Sequence, residues 1–126
     1  MTELRPDETG LTDAISASMV DCYGRFYGHD RTTATTYIND NVVVCVLEDI
    51  LTTDEDARIA AGAATDVIDD RVAFQTDTQD EFTAEIERHT RRKVVAFLSA
   101  NQTTPGIACE LFFLEPEPRR NGEADR

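Results

Sequence analysis

Lysine is almost missing from this chain of 126 residues, in which Lys93 is the one lysine among 12 basic residues. Acidic residues number 25, so the formal net charge is −13. Non-specific binding of nucleic acids depends on contacts between Lys or Arg and phosphate, and this charge opposes it. We therefore expect no nucleic-acid partner.

Long apolar runs are also missing. No run reaches the roughly 20 residues that a membrane-spanning helix needs, and the first residues lack the apolar segment of a signal peptide. Cys22, Cys45 and Cys109 lie among apolar neighbours without Cys-x-x-Cys spacing, as buried reduced thiols of intracellular proteins do. We expect a cytoplasmic chain that does not insert into the membrane.

Motifs for chemistry are missing as well. There is no glycine-rich phosphate loop, and no serine occupies a Gly-x-Ser-x-Gly elbow. His29 and His89 are far apart and belong to no metal-binding pattern. Acidic pairs such as Asp69-Asp70 arise by chance among so many acids. The sequence predicts no catalytic residues, no cofactor and no metal site.

What the chain has in abundance is acidic residues, which repel one another in a compact domain. At about 1 M salt the Debye length falls to about 3 Å, and this repulsion largely disappears. An ordinary acidic protein is the alternative interpretation. We expect adaptation to a high-salt cytoplasm, such as that of a halophilic archaeon.

A chain of this length builds one hydrophobic core. Residues 1–10 are polar and contain Pro6 and Gly10, which predicts a flexible N-terminus. Residues 116–126 combine two prolines with a charged run, which predicts a disordered tail. The domain is expected to cover residues 11–115.

The first half of the domain predicts a helix followed by a hairpin. Apolar residues at helical spacing favour a helix over 11–27. Strands over 33–38 and 42–47 flank the turn residues 39–41, Asn-Asp-Asn. Because the second strand is apolar throughout, we expect an interior strand covered on both faces, with the second cover supplied by another subunit.

A capping box of Thr52 and Glu55 then predicts a helix start. Helical periodicity continues to about Thr90, which would give a rod of roughly 55 Å, too long for this domain. We expect two helices with a boundary between 74 and 80; Gly62 is the alternative site for the break. A single helix whose excess length packs against a second subunit is the other alternative. The apolar stripe is predicted to consist of Ile59, Ala60, Ala64, Val67, Ile68, Val72, Phe82 and Ile86.

A second hairpin is predicted to pair residues 93–99 with 107–114 through the loop 100–106. The element order is then α-β-β-α-α-β-β. It predicts an α+β fold of two layers, with a mainly antiparallel four-stranded sheet and helices on one face.

Two segments of the chain resemble the MpsC-like family. The first contains Tyr37-Ile38-Asn39-Asp40, and the second contains Arg92-Lys93-Val94-Val95-Ala96-Phe97-Leu98-Ser99. The resemblance covers roughly residues 15–115 and depends on the order and spacing of structural motifs. The family usually has glycine where this chain has Arg91, a position that suits a left-handed helix end. The family's name implies an association with ion or inorganic-carbon transport at the membrane, and the family offers no catalytic residues to carry over.

These observations favour a non-enzymatic accessory domain that forms a homodimer and serves a membrane transport protein. The alternative is a regulatory domain that senses a small ligand, held near Tyr27, His29, Arg31 and Arg92. An enzyme would need several polar groups converging in a closed cleft.

Overall fold

The structure, a computed structural model, describes residues 6–28 and 31–116. Its element order confirms the predicted α-β-β-α-α-β-β. The expected flexibility of residues 1–5 and 117–126 lies outside the described residues. The elements are α1 (Pro6–Tyr27), β1 (Thr33–Asn39), β2 (Val42–Glu48), α2 (Thr53–Ala60), α3 (Ala64–Thr90), β3 (Val94–Thr103) and β4 (Gly106–Leu114).

The four strands form one antiparallel sheet in the order β1-β2-β4-β3. Helix α1 packs mainly on β1, and α3 packs on β3, so both long helices cover the same face. This confirms the predicted α+β fold and the interior position of β2. Of the helices in the described residues, none has the length and apolar character to cross a bilayer.

The core lies between the helices and one face of the sheet. Strand residues alternate between the two faces, so every second residue of β2 and β4 points into this core. Complete burial stabilises the fold by about 1.5–3 kcal/mol for each large apolar side chain. The buried apolar residues include Ile15, Met19, Val43, Leu47, Val67, Ile86, Phe112 and Leu114.

The break in the long helical region lies at residues 61–63, and the predicted boundary between 74 and 80 is wrong. Gly62 has a φ of 89°, which glycine adopts without a steric penalty. The polar stretch expected to end the helix stays helical. There, the Thr78 hydroxyl donates to the Phe74 carbonyl oxygen at 3.1 Å, so this polar side chain has its hydrogen-bond partner within the helix. The predicted capping box is confirmed, with reciprocal bonds of 3.1 and 2.9 Å between Thr52 and Glu55.

Other boundaries and positions also differ from the prediction. Helix α1 begins at Pro6, because proline suits a first helical turn. Strand β3 continues to Thr103, since its polar end still pairs with the apolar start of β4, and the predicted loop shortens to a turn at 104–105. Ala60 and Val72, both expected in the buried stripe, are exposed, Val72 by 51%.

Helix α3 ends in a left-handed residue that is not glycine. Arg91 has φ 57° and ψ 31°, and its backbone N–H donates to the Glu87 carbonyl oxygen at 2.8 Å. A side chain in this conformation costs roughly 1 kcal/mol because Cβ approaches the following carbonyl. The departure from glycine at this position therefore places steric strain at the end of α3.

Replacing Arg91 with glycine is expected to stabilise the fold by about 0.5–1 kcal/mol, because the gain at positive φ exceeds the added entropy of the unfolded chain. Chemical denaturation measures the change. Arg91→Ala removes the same charge and keeps Cβ, so it should leave the free energy of unfolding nearly unchanged. Equal effects of the two substitutions would show that charge, and not backbone conformation, matters at this position.

Candidate functional site

Three of the four residues predicted to hold a ligand are described, and these three are not gathered at one place. Tyr27 ends α1 and its ring contacts Arg71, the partner of Glu55 in α2. Arg31 donates to the Leu51 carbonyl oxygen at 2.6 Å, so both Tyr27 and Arg31 lie near the start of α2. His29 lies outside the described residues. Arg92 lies beyond the opposite end of β1, so it cannot share a small ligand with Arg31. That these residues bind a ligand stays a prediction.

Arg92 joins two parts of the sheet at that far end. Its guanidinium donates to the Asp40 carbonyl oxygen at 3.0 Å and twice to the Glu115 carbonyl oxygen, at 3.0 and 3.1 Å. It thereby connects the β1–β2 turn to the end of β4. With Glu87, Arg91 and Lys93 it also lines a shallow open depression.

A buried ion pair lies at the other end, between Arg71 of α3 and Glu55 of α2. Arg71 is 1% exposed and donates to both Glu55 carboxylate oxygens, at 2.9 and 2.7 Å. Burial alone would raise the pKa of Glu55, but the hydrogen bonds from Arg71 and Thr52 outweigh it and hold that pKa below its ordinary value. The pair therefore stays ionised at neutral pH.

Arg71 also contacts an aromatic ring and a backbone carbonyl. Its guanidinium carbon lies 4.1 Å from the centroid of the Tyr27 ring, a cation–π geometry. A further N–H donates to the Ile50 carbonyl oxygen. Sequence reasoning missed this residue. The signal was its position, one turn after Val67 on the apolar stripe, where a charged side chain must find partners.

A second buried acid, Glu110, lies in the middle of the sheet. It is 1% exposed, and the Tyr23 hydroxyl donates to its Oε2 at 3.3 Å. Ser99 pairs with Glu110 across β3 and β4, and both Ser99 and Tyr23 lower the pKa of Glu110. The Ser99 hydroxyl and Oε1 of Glu110 have no partner within hydrogen-bond geometry among the described residues. Burial dominates and raises the pKa of Glu110 above its ordinary value.

Together these groups form a polar chain through the core, running Glu55, Arg71, Tyr27, Tyr23 and Glu110. The rings of Tyr23 and Tyr27 have centroids 5.2 Å apart and connect the two charged ends. Burial raises the pKa of Tyr27 to about 12, so its hydroxyl stays protonated. This polar chain links the helix layer to the sheet, and each of its groups contacts the next.

The opposite face of the sheet is apolar and has no covering layer from the described residues. We call it the open face and define it by three register rows, each crossing all four strands. Tyr37 and Leu98, at the two ends of the middle row, are 58% and 59% exposed. The rows are Asn39–Val42–Phe113–Ala96, Tyr37–Val44–Leu111–Leu98 and Thr35–Val46–Cys109–Ala100.

The buried carboxyl of Glu110 predicts a pH-dependent effect of Glu110→Gln. Because the folded pKa lies above the unfolded value of 4.5, ionisation costs stability once the pH rises through the folded pKa, and the cost is absent below the unfolded pKa. The substitution should therefore raise the free energy of unfolding at pH 7.5 by about 1–3 kcal/mol. The gain should shrink towards pH 4.

Urea denaturation at the two pH values measures this difference. Glu48→Gln, on an exposed residue of the neighbouring strand β2, is the matched control and should change little. A gain from Glu110→Gln that is equal at both pH values would contradict the assignment.

Comparison with known proteins gives one match. A family model described as "Na+-translocating membrane potential-generating system (MpsC)" matches residues 8–116. No curated protein and no solved structure matches the chain. The matched range contains the whole sheet, the buried polar chain and the open face, and the chain belongs to the MpsC family.

Proposed function

We propose that this chain is a non-enzymatic, cytoplasmic interaction domain that serves a membrane ion or inorganic-carbon transport system without entering the bilayer. The open face is the observation that carries the proposal. The family description, which refers to Na⁺ translocation and membrane potential, supports the link to ion transport.

The composition of the open face suits a protein partner. None of its three rows contains a charged residue, although the chain as a whole has a net charge of −13. Apolar patches of several hundred Å² on a protein surface typically mark interaction sites. Interface centres are likewise depleted in charge and enriched in aromatic residues, and Tyr37 and Phe113 belong to this face.

The buried polar groups support a non-enzymatic role in a different way. Arg71 and Glu55 bind each other, and the Tyr23 hydroxyl binds Glu110. These contacts hold α1, α2, α3 and β4 together. These buried groups with shifted pKa values therefore act in the fold, and the open face is the surface that we assign to function.

Affinity capture from the native host at native salt tests the interaction role. The wild-type chain should enrich a membrane protein of an ion or inorganic-carbon transport system, and Leu98→Glu should lose at least about 90% of that signal, since it places a charge in the interface. Val72→Glu, on the exposed side of α3, is the matched control and should capture as well as wild type. Failure to enrich any transport protein, or capture unaffected by Leu98→Glu, would refute the proposal.

We also propose that the protein works at high salt, which its acid content and single lysine support. The midpoint of thermal unfolding should rise by several degrees between about 0.1 M and about 2 M KCl, because salt screens the repulsion between acids. Differential scanning calorimetry measures the midpoint.

A variant with Asp13, Asp69 and Asp80 changed to Asn provides the control for this salt effect. These three residues are exposed, and their replacement removes three of the 25 acids. The variant should respond less steeply to KCl than wild type. A midpoint that is independent of KCl in wild type would rule out the salt adaptation.

A further inference from the structure

We propose that the open face binds the open face of a second copy of this chain, so that two sheets stack with their helices outside. The inference rests on the proposed interaction role of this face: a second copy occupies it, and the transport protein binds the dimer that this contact forms, so Leu98→Glu reduces capture by preventing the dimer. It would give a four-layer α/β/β/α dimer with an interior built from two identical sheet surfaces.

Charge favours a second copy in this orientation over any other. Two chains of net charge −13 repel each other, but the three rows of the open face contain no carboxylate, and Glu48 lies in the flanking row at the edge of the contact. Stacked sheets lie about 10 Å apart, and each helix layer adds about 10 Å. The acidic outer surfaces of the two copies would then be roughly 30 Å apart, well beyond the Debye length at physiological salt.

The size of the open face bears on whether it can hold a dimer. Four strands at a spacing of about 4.8 Å and five residues at about 3.4 Å each give three rows that cover roughly 19 by 17 Å, a projected area of about 320 Å². The flanking row Thr33–Glu48–Ile107–Gln102 raises the projected area to about 450 Å², and the relief of the side chains adds to it. Stable interfaces begin near 600 Å² of accessible surface for each partner, so the dimer uses the three rows as its centre and this flanking row as its edge.

The distribution of side-chain sizes suits self-association. Val44 and Leu111 form the centre of the middle row, and on β3 the large Leu98 stands between the small residues Ala96 and Ala100. A two-fold axis places the same surface on both sides of an interface. Large residues of one copy can then pack into the shallow positions beside Leu98 of the other, as in the packed sheets of a β-sandwich.

Light scattering coupled to size-exclusion chromatography tests the dimer directly. Wild-type protein in molar KCl at about 10 μM, above a micromolar dissociation constant, should have close to twice the monomer mass of 14.0 kDa. Leu98→Glu should run mainly as a monomer at the same concentration. Because the substitution enters a two-fold interface twice, a tenfold loss for each copy weakens dimerisation about a hundredfold.

Two further variants separate the interface from folding. Tyr37→Glu lies at the other end of the same row, 58% exposed, and should also give monomers with the circular dichroism of wild type. Val72→Glu lies on α3, 51% exposed, and should remain dimeric. A dimer that resists both substitutions on the open face, or that Val72→Glu disrupts, would overturn the proposal.

Cys109 gives an independent measurement on the native chain. It lies on the open face and is the one cysteine that is not buried, since Cys22 and Cys45 are in the core. In wild type a maleimide should therefore modify Cys109 at least about tenfold more slowly than in Leu98→Glu. Equal rates would mean that the face is uncovered in wild type, which would overturn the proposal.

Different experimental results would refute the dimer and the accessory role. A wild-type monomer in molar KCl refutes the dimer, even if capture of a transport protein still depends on Leu98. A dimer that enriches no transport protein refutes the accessory role and leaves the dimer standing.

Discussion

The buried guanidinium of Arg71 joins all three helices that the structure describes. It projects from α3, pairs with Glu55 of α2, covers the Tyr27 ring of α1 and donates to the carbonyl oxygen of Ile50. A buried ion pair adds little net stability, because desolvation offsets attraction, but losing one partner costs about 3–5 kcal/mol. Arg71 therefore acts mainly by orienting the helices: its Nε and Nη2 groups reach these partners in few arrangements, although Nη1 has no hydrogen-bond partner among the described residues.

Local signals in the sequence predicted local structure well, and long-range contacts explain what they missed. The capping box of Thr52 and Glu55 and the turn at Asp40 were identified because each needs only a few neighbouring residues. The break at Gly62 was harder to predict, because the polar stretch near Thr78 is equally typical of a helix end. In the structure the Thr78 hydroxyl bonds to a carbonyl within the helix, and the helix continues. Arg71 was missed because its partners come from three other parts of the chain.

The two faces of the sheet have different roles: one packs against the helices, and the other is left uncovered by the described fold. Helices and core residues occupy one face, and the polar chain ending at Glu110 lies within that core. The other face keeps the same alternation but meets no element of the described fold, although its three rows contain residues that avoid water. An acidic chain of net charge −13 gains solubility from its charged surface and keeps charge out of these three rows. The same alternation thus produces both a core and a binding surface.

The segment following α3 shows why family likeness here depends on structure more than on chemistry. Arg91 reverses the chain in a left-handed conformation, and Arg92 then reaches the carbonyl oxygens of Asp40 and Glu115. Arg92 thereby links two hairpins that are distant in sequence at one corner of the sheet. Because the open face crosses both hairpins, this corner helps to hold the two hairpins in place beneath it. Residues outside the three rows therefore support the surface, and motifs without reactive groups still bear on binding.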